Sequence, residues 1–329
     1  MVPDDFLTRE ISVGSFPSAS YAIGTLDGLE HENAMGNAVA VPLRVPATAD
    51  TIYDCASLTK PLVTGTLILQ AIAEGKIALD DTHRGYTFRE LLTHTSGLRA
   101  WLPLYAYDDS LRAINKDGPE APRGSKVIYS DLNFVLLYDA LGQLFGDYVE
   151  AARTRIFEPL GLRDAMFRPV SSLRPRIAAT EWGQRWEMKM CAERSVSFSR
   201  FREGLIWGET HDGNSFHAGG TCGNAGLFAT ARDVFRIAKA FARGELVPCE
   251  LVDEATRVHA EDRGLAWQIN ELGYGHTGFT GTSVWVRDGR ISVLLTNRVH
   301  PCAAPIGMQS IRRRFHTTSY NVLRRPTTS

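Results

Sequence analysis

The sequence predicts an α+β fold in which strands near the two chain ends flank a mostly helical middle. Three observations carry this expectation. Asp27-Gly28 sits between two short segments near the start, a hairpin signal. The middle third repeats apolar residues at helical spacing, and the last third holds strand-like runs at about 264–269, 276–287 and 290–297, with Asp288-Gly289 as a second hairpin turn.

The elements follow in order. Residues 20–36 form the first hairpin, and loop-like sequence rich in proline and threonine runs to Thr51. Leu62, Val63, Leu67, Leu69 and Ile72 predict a helix from Ser57 to Gly75; Pro61 is tolerated near its start, where the first amides have no intrahelical acceptor. Thr87 and Glu90 read as a capping box, with Gly97 near the stop. Further helices are expected over about 131–144, 146–156, 230–244 (Thr230 and Asp233 as its capping box) and 306–323, the last followed by a polar tail. Residues 171–217 lack periodicity but carry Trp182, Trp186 and Trp207, which predicts a long loop packed by its own aromatics.

Composition bounds the function. The chain has 329 residues, 44% of them hydrophobic, enough for two domains or one elaborated domain. Lysine plus arginine (36) nearly balance aspartate plus glutamate (37), so net charge points to neither nucleic acid nor an acidic membrane. Arg312-Arg313-Arg314 reads as the solvated face of the last helix. Acids near the N-terminus replace the basic start of a signal peptide, and no apolar run reaches the roughly 18 residues of a membrane span; the expected location is the cytoplasm. Five scattered cysteines without Cys-x-x-Cys spacing read as free thiols.

One pair suggests chemistry. Ser57 and Lys60, three apart on a helix, share a face, and serine needs such an adjacent base to act as a nucleophile. Downstream stand Tyr129-Ser-Asp131 at a helix entry and His276-Thr-Gly278 at the head of a strand. In this order the three stretches resemble the serine β-lactamase and penicillin-recognising superfamily, in particular its class C β-lactamase-like esterases and peptidases. Ser57-Leu-Thr-Lys60 resembles the first motif, Tyr129-Ser-Asp131 the second (Tyr-x-Asn) and His276-Thr-Gly278 the third. Leu91-Leu-Thr-His-Thr-Ser-Gly-Leu98 and Gly208-Glu-Thr-His-Asp-Gly-Asn214 are similar to family text, so the resemblance runs from about residue 20 to 300.

The resemblance implies a β-lactamase/transpeptidase-like architecture. Residues 1–80 and 215–329 would form a discontinuous sheet subdomain, and 81–214 a mostly helical insertion with a long loop. It also implies an acyl-enzyme on Ser57, an oxyanion hole from the backbone amides of Ser57 and Phe279, and proton transfer shared by Lys60 and Tyr129. Both groups titrate near 10 in water, so burial or a neighbouring charge must displace whichever is the base. Asp131, His276, Thr277 and Gly278 would contact substrate. A second register aligns Ser130-Asp131-Leu132 with the Ser-Asp-Asn motif and would give Ser130 the relay; the missing asparagine and the class C-like surroundings favour Tyr129.

Two departures bear on substrate. His276 stands where β-lactamases commonly carry lysine and is a weaker clamp for a carboxylate. Asp131 replaces an amide; it cannot donate a hydrogen bond, can hold Lys60 protonated, and equally suits a substrate amine. The expectation is therefore a cofactor-independent serine hydrolase of an ester or small amide, esterase-like. β-Lactamase and D-aminopeptidase or DD-peptidase-like activities are the alternatives, and a non-catalytic ligand-binding descendant of the fold is the rival from another class. No metal is expected, because His211, Asp212 and His217 match no helical ligand spacing. The glycine run at 219–226 is neither a dinucleotide fingerprint nor a P-loop and is assigned to close backbone packing. The expected partner is a small-molecule substrate, with neither nucleic acid nor membrane, and the oligomeric state is open.

Overall fold

The computed structural model describes residues 3–303 and 307–323. Helix α1 (Pro3–Ser12) opens the chain, with Pro3 first and Asp4 and Asp5 in the first turn, where the helix dipole favours acids. The sequence reading assigned no helix there. Strands β1 (Ser18–Thr25) and β2 (Leu29–Val39) pair across the predicted Asp27-Gly28 turn, and β3 (Val45–Pro46) extends the edge. Next come β4 (Tyr53–Asp54), a 3₁₀ turn at Ala56–Leu58, a π-helical stretch at Lys60–Gly65 and α2 (Thr66–Ala73).

The middle of the chain begins with the short ladder of β5 (Thr82–His83) and β6 (Tyr86–Thr87). Helix α3 (Phe88–Leu92) has the predicted capping box, with both Thr87–Glu90 bonds made, but ends after one turn. Then follow α4 (Ser110–Asp117), α5 (Asp131–Phe145), α6 (Tyr148–Ala152), α7 (Arg185–Glu193) and α8 (Gly213–His217). The segment read as one long loop therefore contains two α-helices, α7 and α8, and a 3₁₀ stretch at Ser171–Arg176.

The closing third holds β7 (Phe228–Ala229), which pairs with β4, then α9 (Ala231–Ala242) and α10 (Cys249–Thr256). Strands β8 (Gln268–Asn270), β9 (Gly273–Thr277), β10 (Ser283–Arg287) and β11 (Arg290–Thr296) precede α11 (Met308–Leu323). The strand expected over 276–287 is thus two strands. Gly278 donates to the Thr282 carbonyl at 2.8 Å, and Gly281, at a φ of 100° that favours glycine, closes the turn between them. The strand expected from 264 begins only at Gln268. Ile306 and the polar tail lie outside the described residues.

Seven strands form one sheet in the order β3-β2-β1-β11-β10-β9-β8, with β1 antiparallel to β11 in the register Tyr21↔Leu294. Pairing β1 with β11 joins the two chain ends at the centre of the sheet. Successive residues point to opposite faces, and both faces here are apolar. Ala22, Val293 and Leu295 join the main core with Phe235 and Phe241 of α9, whereas Tyr21, Ile23 and Leu294 pack against Phe6, Leu7 and Phe315 of α1 and α11. The fold is α+β, with a mostly antiparallel sheet between helical layers. The main core continues from the sheet through α2 into α3 and α5, at Leu91 and Phe134. Among the described residues no helix is long and apolar enough to cross a membrane.

Candidate active site

The turn that carries Ser57 is set by one buried carboxylate. Asp54 accepts the Ala56 amide at 2.8 Å and the His211 amide at 2.7 Å, holding Ala56 at a φ of 48°. A non-glycine residue in that region stores strain of about 1 kcal/mol or more, tolerated where the surroundings over-determine it. Burial pushes the Asp54 carboxyl above its usual range. Ser57 follows, half-buried, on 3₁₀ rather than the expected α-helical backbone. Regular α-helix starts only at Thr66, because 3₁₀ and π segments occupy the first turns.

Lys60 is fully buried, and its Nζ donates to Ser57 Oγ at 2.9 Å and to the Asn224 carbonyl at 3.0 Å. It also pairs with Asp131 Oδ1 at 2.6 Å. Burial works to strip the proton from this amine, but the Asp131 carboxylate and the Tyr129 hydroxyl outweigh it, and the net displacement is upward. Burial likewise pushes the Asp131 carboxyl upward, against the pull of Lys60. Asp131 opens α5, and its side chain keeps 20% exposure towards the cleft.

The two candidates for the second motif part company in space. Tyr129 lines the cavity beside Lys60, whose Nζ lies 5.1 Å from the ring centre. Ser130 is buried and spends its hydroxyl on the Arg99 carbonyl (2.6 Å) and the Leu132 amide (3.2 Å), as the cap of α5. His94, given no role by the sequence reading, holds this corner together. Its Nδ1 accepts the Ser130 amide at 3.0 Å, and its ring lies 4.6 Å from Tyr129. The Leu91–Leu98 stretch was the available signal.

The third motif approaches from β9. The Thr280 and Thr282 hydroxyls donate to the Asp54 and Cys55 carbonyls at 2.8 and 2.9 Å, tying the 278–282 turn to the Ser57 turn. A Cβ on Gly278 would overlap Thr282 Oγ1 and lie 2.7 Å from the Cys55 carbonyl oxygen. Gly278→Ala is accordingly expected to cost about 1–3 kcal/mol of stability and to lower kcat by at least about tenfold, measured by thermal melts and ester turnover. His276 departs from its expectation. It is 2% exposed, lies off the cavity, donates through Nδ1 to the Thr277 carbonyl at 2.8 Å, and is driven by burial well below its usual range. An enclosed imidazole whose charged form burial disfavours is poorly suited to clamp a carboxylate.

Cations reach the cavity from elsewhere. Ser57, Tyr129 and Asp131 share a space of about 560 Å³ with Trp186 of α7, Arg298 and Arg312. Arg312, read from sequence as solvated, is 7% exposed and donates to the Gly278 carbonyl at 2.6 Å. Burial and the nearby Arg298 charge push it down to about 9, and among the described residues no carboxylate pairs with it. Its helical spacing from Met308, Phe315 and Ser319, all buried, was a legible sign that it faces inward. The other sequence candidates are engaged: His211 pairs with Glu181 at 3.1 Å, Asp212 caps α8, and His217 packs against Tyr105. In the glycine run, a Cβ on Gly223 would strike the Phe134 carbonyl, and one on Gly226 the Gly220 carbonyl.

Residues 14–308 match the family model described as Beta-lactamase. The chain belongs to the beta-lactamase family. Its relatives include an Escherichia coli (strain K12) protein described as "Putative D-alanyl-D-alanine carboxypeptidase", 30% identical over 92% of this chain and 83% of that one. Among solved structures, this family member superposes on D-amino acid amidase from Ochrobactrum anthropi with a TM-score of 0.74, at 18% identity and 98% coverage of each chain. EstCE1, a hydrolase with promiscuous acyltransferase activity, gives 0.73 at 18% identity and 97% coverage of each. The octameric penicillin-binding protein homologue from Pyrococcus abyssi gives 0.71 at 20% identity, covering 95% of this chain and 76% of that one. This beta-lactamase-family chain is thus a hydrolase of the β-lactamase and penicillin-binding protein superfamily.

Proposed function

We propose that this hydrolase works through an acyl-enzyme on Ser57 and cleaves a small amide or ester bearing a carboxylate on its leaving-group side. The carrying observation is the 2.9 Å Lys60–Ser57 hydrogen bond at the wall of the cavity. Ser57 Oγ attacks the substrate carbonyl and gives its proton to the Lys60–Tyr129 pair. The oxyanion is met by the Ser57 and Phe279 amides; removing one such donor typically costs roughly 3–4 kcal/mol. The proton then passes to the leaving nitrogen or oxygen as its bond to carbon breaks, and water hydrolyses the ester left on Ser57.

The carboxylate preference is supported by Arg312. A buried cation without a carboxylate partner is costly, and an anionic substrate group relieves that cost. The relatives' carboxypeptidase description agrees, since such an enzyme releases a residue with a free carboxylate. The test compares kcat/KM on a D-alanyl-D-alanine peptide, its C-terminal amide, a D-amino acid amide, a neutral p-nitrophenyl ester and nitrocefin. The free carboxylate should be favoured about 10- to 100-fold over its amide. Arg312→Gln should erase that preference while sparing the neutral ester; equal rates on both peptides would remove the carboxylate from the reading. One equivalent of product followed by no steady turnover on any substrate would instead assign a ligand-binding descendant.

A further inference from the structure

The Ser57–Lys60 contact poses a chemical problem. An ammonium that donates to Ser57 Oγ has no lone pair with which to take the hydroxyl proton. Lys60 is held in that form by its neighbours: it reaches Ser57 Oγ at 2.9 Å, the Asn224 carbonyl at 3.0 Å and Asp131 at 2.6 Å, with no exposure to water. The shortest of these contacts leads to the group that can relieve the problem.

We propose that Asp131 receives the proton Lys60 must release before it can deprotonate Ser57, so that a buried lysine–carboxylate pair is the base of acylation. This rests on the Ser57 acyl-enzyme reading. Asp131 Oδ1 lies 2.6 Å from Nζ and has no hydrogen-bond partner of its own among the described residues, so a small rotation that aligns the two lets one proton cross; the ion pair becomes a neutral amine and a neutral acid, and the pair's net charge stays zero. In water this exchange is strongly unfavourable. At this wall of the cavity Lys60 loses its hydration fully and Asp131, 20% exposed, in large part, which narrows the gap from both sides. Burial acts in that sense on each partner, downward on the lysine and upward on the carboxyl, although the Asp131 charge and Tyr129 more than offset it on the lysine while the pair stays ionised.

The step balances without any further reagent. Asp131 Oδ1 gains the Nζ proton, and Lys60 gains a lone pair facing Ser57. The hydroxyl proton moves to Nζ as the Oγ–carbon bond forms and the carbonyl π electrons move to oxygen. Lys60, through Tyr129, then protonates the leaving group as its bond to carbon breaks, and the Asp131 proton returns to Lys60. Asp131 is a positioning residue in this scheme, acting only through Lys60.

Other groups facing the pair are Tyr129, Asn224, Cys222 and the Asp212 carboxylate, with His94, His276 and Arg263 behind Tyr129. Both histidines are buried and displaced well below their usual range, so burial favours their neutral forms. Cys222 is pushed upward by burial and stays a thiol.

The test is the pre-steady-state acylation rate with p-nitrophenyl acetate, from about pH 4 to about pH 10. The intact protein should show an acid limb below neutrality, because the pair stops working only when it takes up a second proton. A limb in the lysine range would overturn the proposal without any variant being needed. In Asp131→Asn the limb should move at least about two pH units to the alkaline side, since the lysine must now lose its proton outright. Its rate at pH 7 should fall about 10²- to 10⁴-fold and recover as pH rises. Asp131→Glu should return the limb towards neutrality. An asparagine variant whose whole profile is scaled down without a shift, or which loses only affinity for amine-bearing substrates, also overturns it. Failure of the underlying reading is separate: no acetyl mass then appears on Ser57 in the intact protein.

Discussion

Ser57→Ala is expected to remove ester and amide turnover by about 10⁴-fold or more, and to abolish the single acyl or fluorophosphonate adduct. The hydroxyl is placed against both a buried amine and an open cavity. Its loss leaves Lys60 with the Asn224 carbonyl, Asp131 and Tyr129, so the fold should persist, with a melting temperature within a few degrees of the parent. Intact-mass spectrometry and a steady-state assay decide the matter. Full turnover by the alanine variant would sink the mechanism, and an adduct elsewhere would move it.

Lys60→Met should be nearly as damaging and should also reach stability. Activity is expected to fall about 10²- to 10⁴-fold through loss of proton transfer. Removing one partner of a buried pair leaves the other charge uncompensated, typically at about 3–5 kcal/mol; the 20% exposure of Asp131 points to the lower end. The pH dependence has a definite sign. Without Lys60, burial and the Asp212 charge raise the Asp131 carboxyl against only the Asn224 hydrogen bond, so the native state holds that proton more tightly than the unfolded chain. Stability from this group is then fully present below the unfolded value near pH 4 and is lost as pH rises through the native value. Urea melts at acid and neutral pH should show the variant closest to the parent in acid. Lys60→Met with Asp131→Asn should recover most of the stability at neutral pH and none of the activity; a double variant as unstable as the single one would contradict this account.

How much was readable in advance differs by kind of signal. Turns and caps were legible because they depend on a few neighbouring residues: Asp27-Gly28 makes the first hairpin, and Thr87 with Glu90 makes its capping box. The break at Gly278–Thr282 lies inside one expected strand, and Gly278 and Gly281 were the available sign of a turn there. Helix α7 was missed because its burial comes from packing over the cleft, through Glu187 and Cys191, and not from an apolar stripe in its own sequence.

By itself, the sequence determined the α+β order of elements and the Ser57–Lys60 spacing, and its three motifs pointed to the superfamily. Both derive from short-range chemistry, where turn residues and helical periodicity act within a few positions. Only the tertiary structure decided the charges. It buried Arg312 against Gly278, enclosed His276 away from the cavity, and closed Asp131 onto Lys60 at 2.6 Å across 71 positions of chain. The physical reason is that a side chain's charge depends on the hydration it loses and the groups it meets, and those are set by residues distant in sequence.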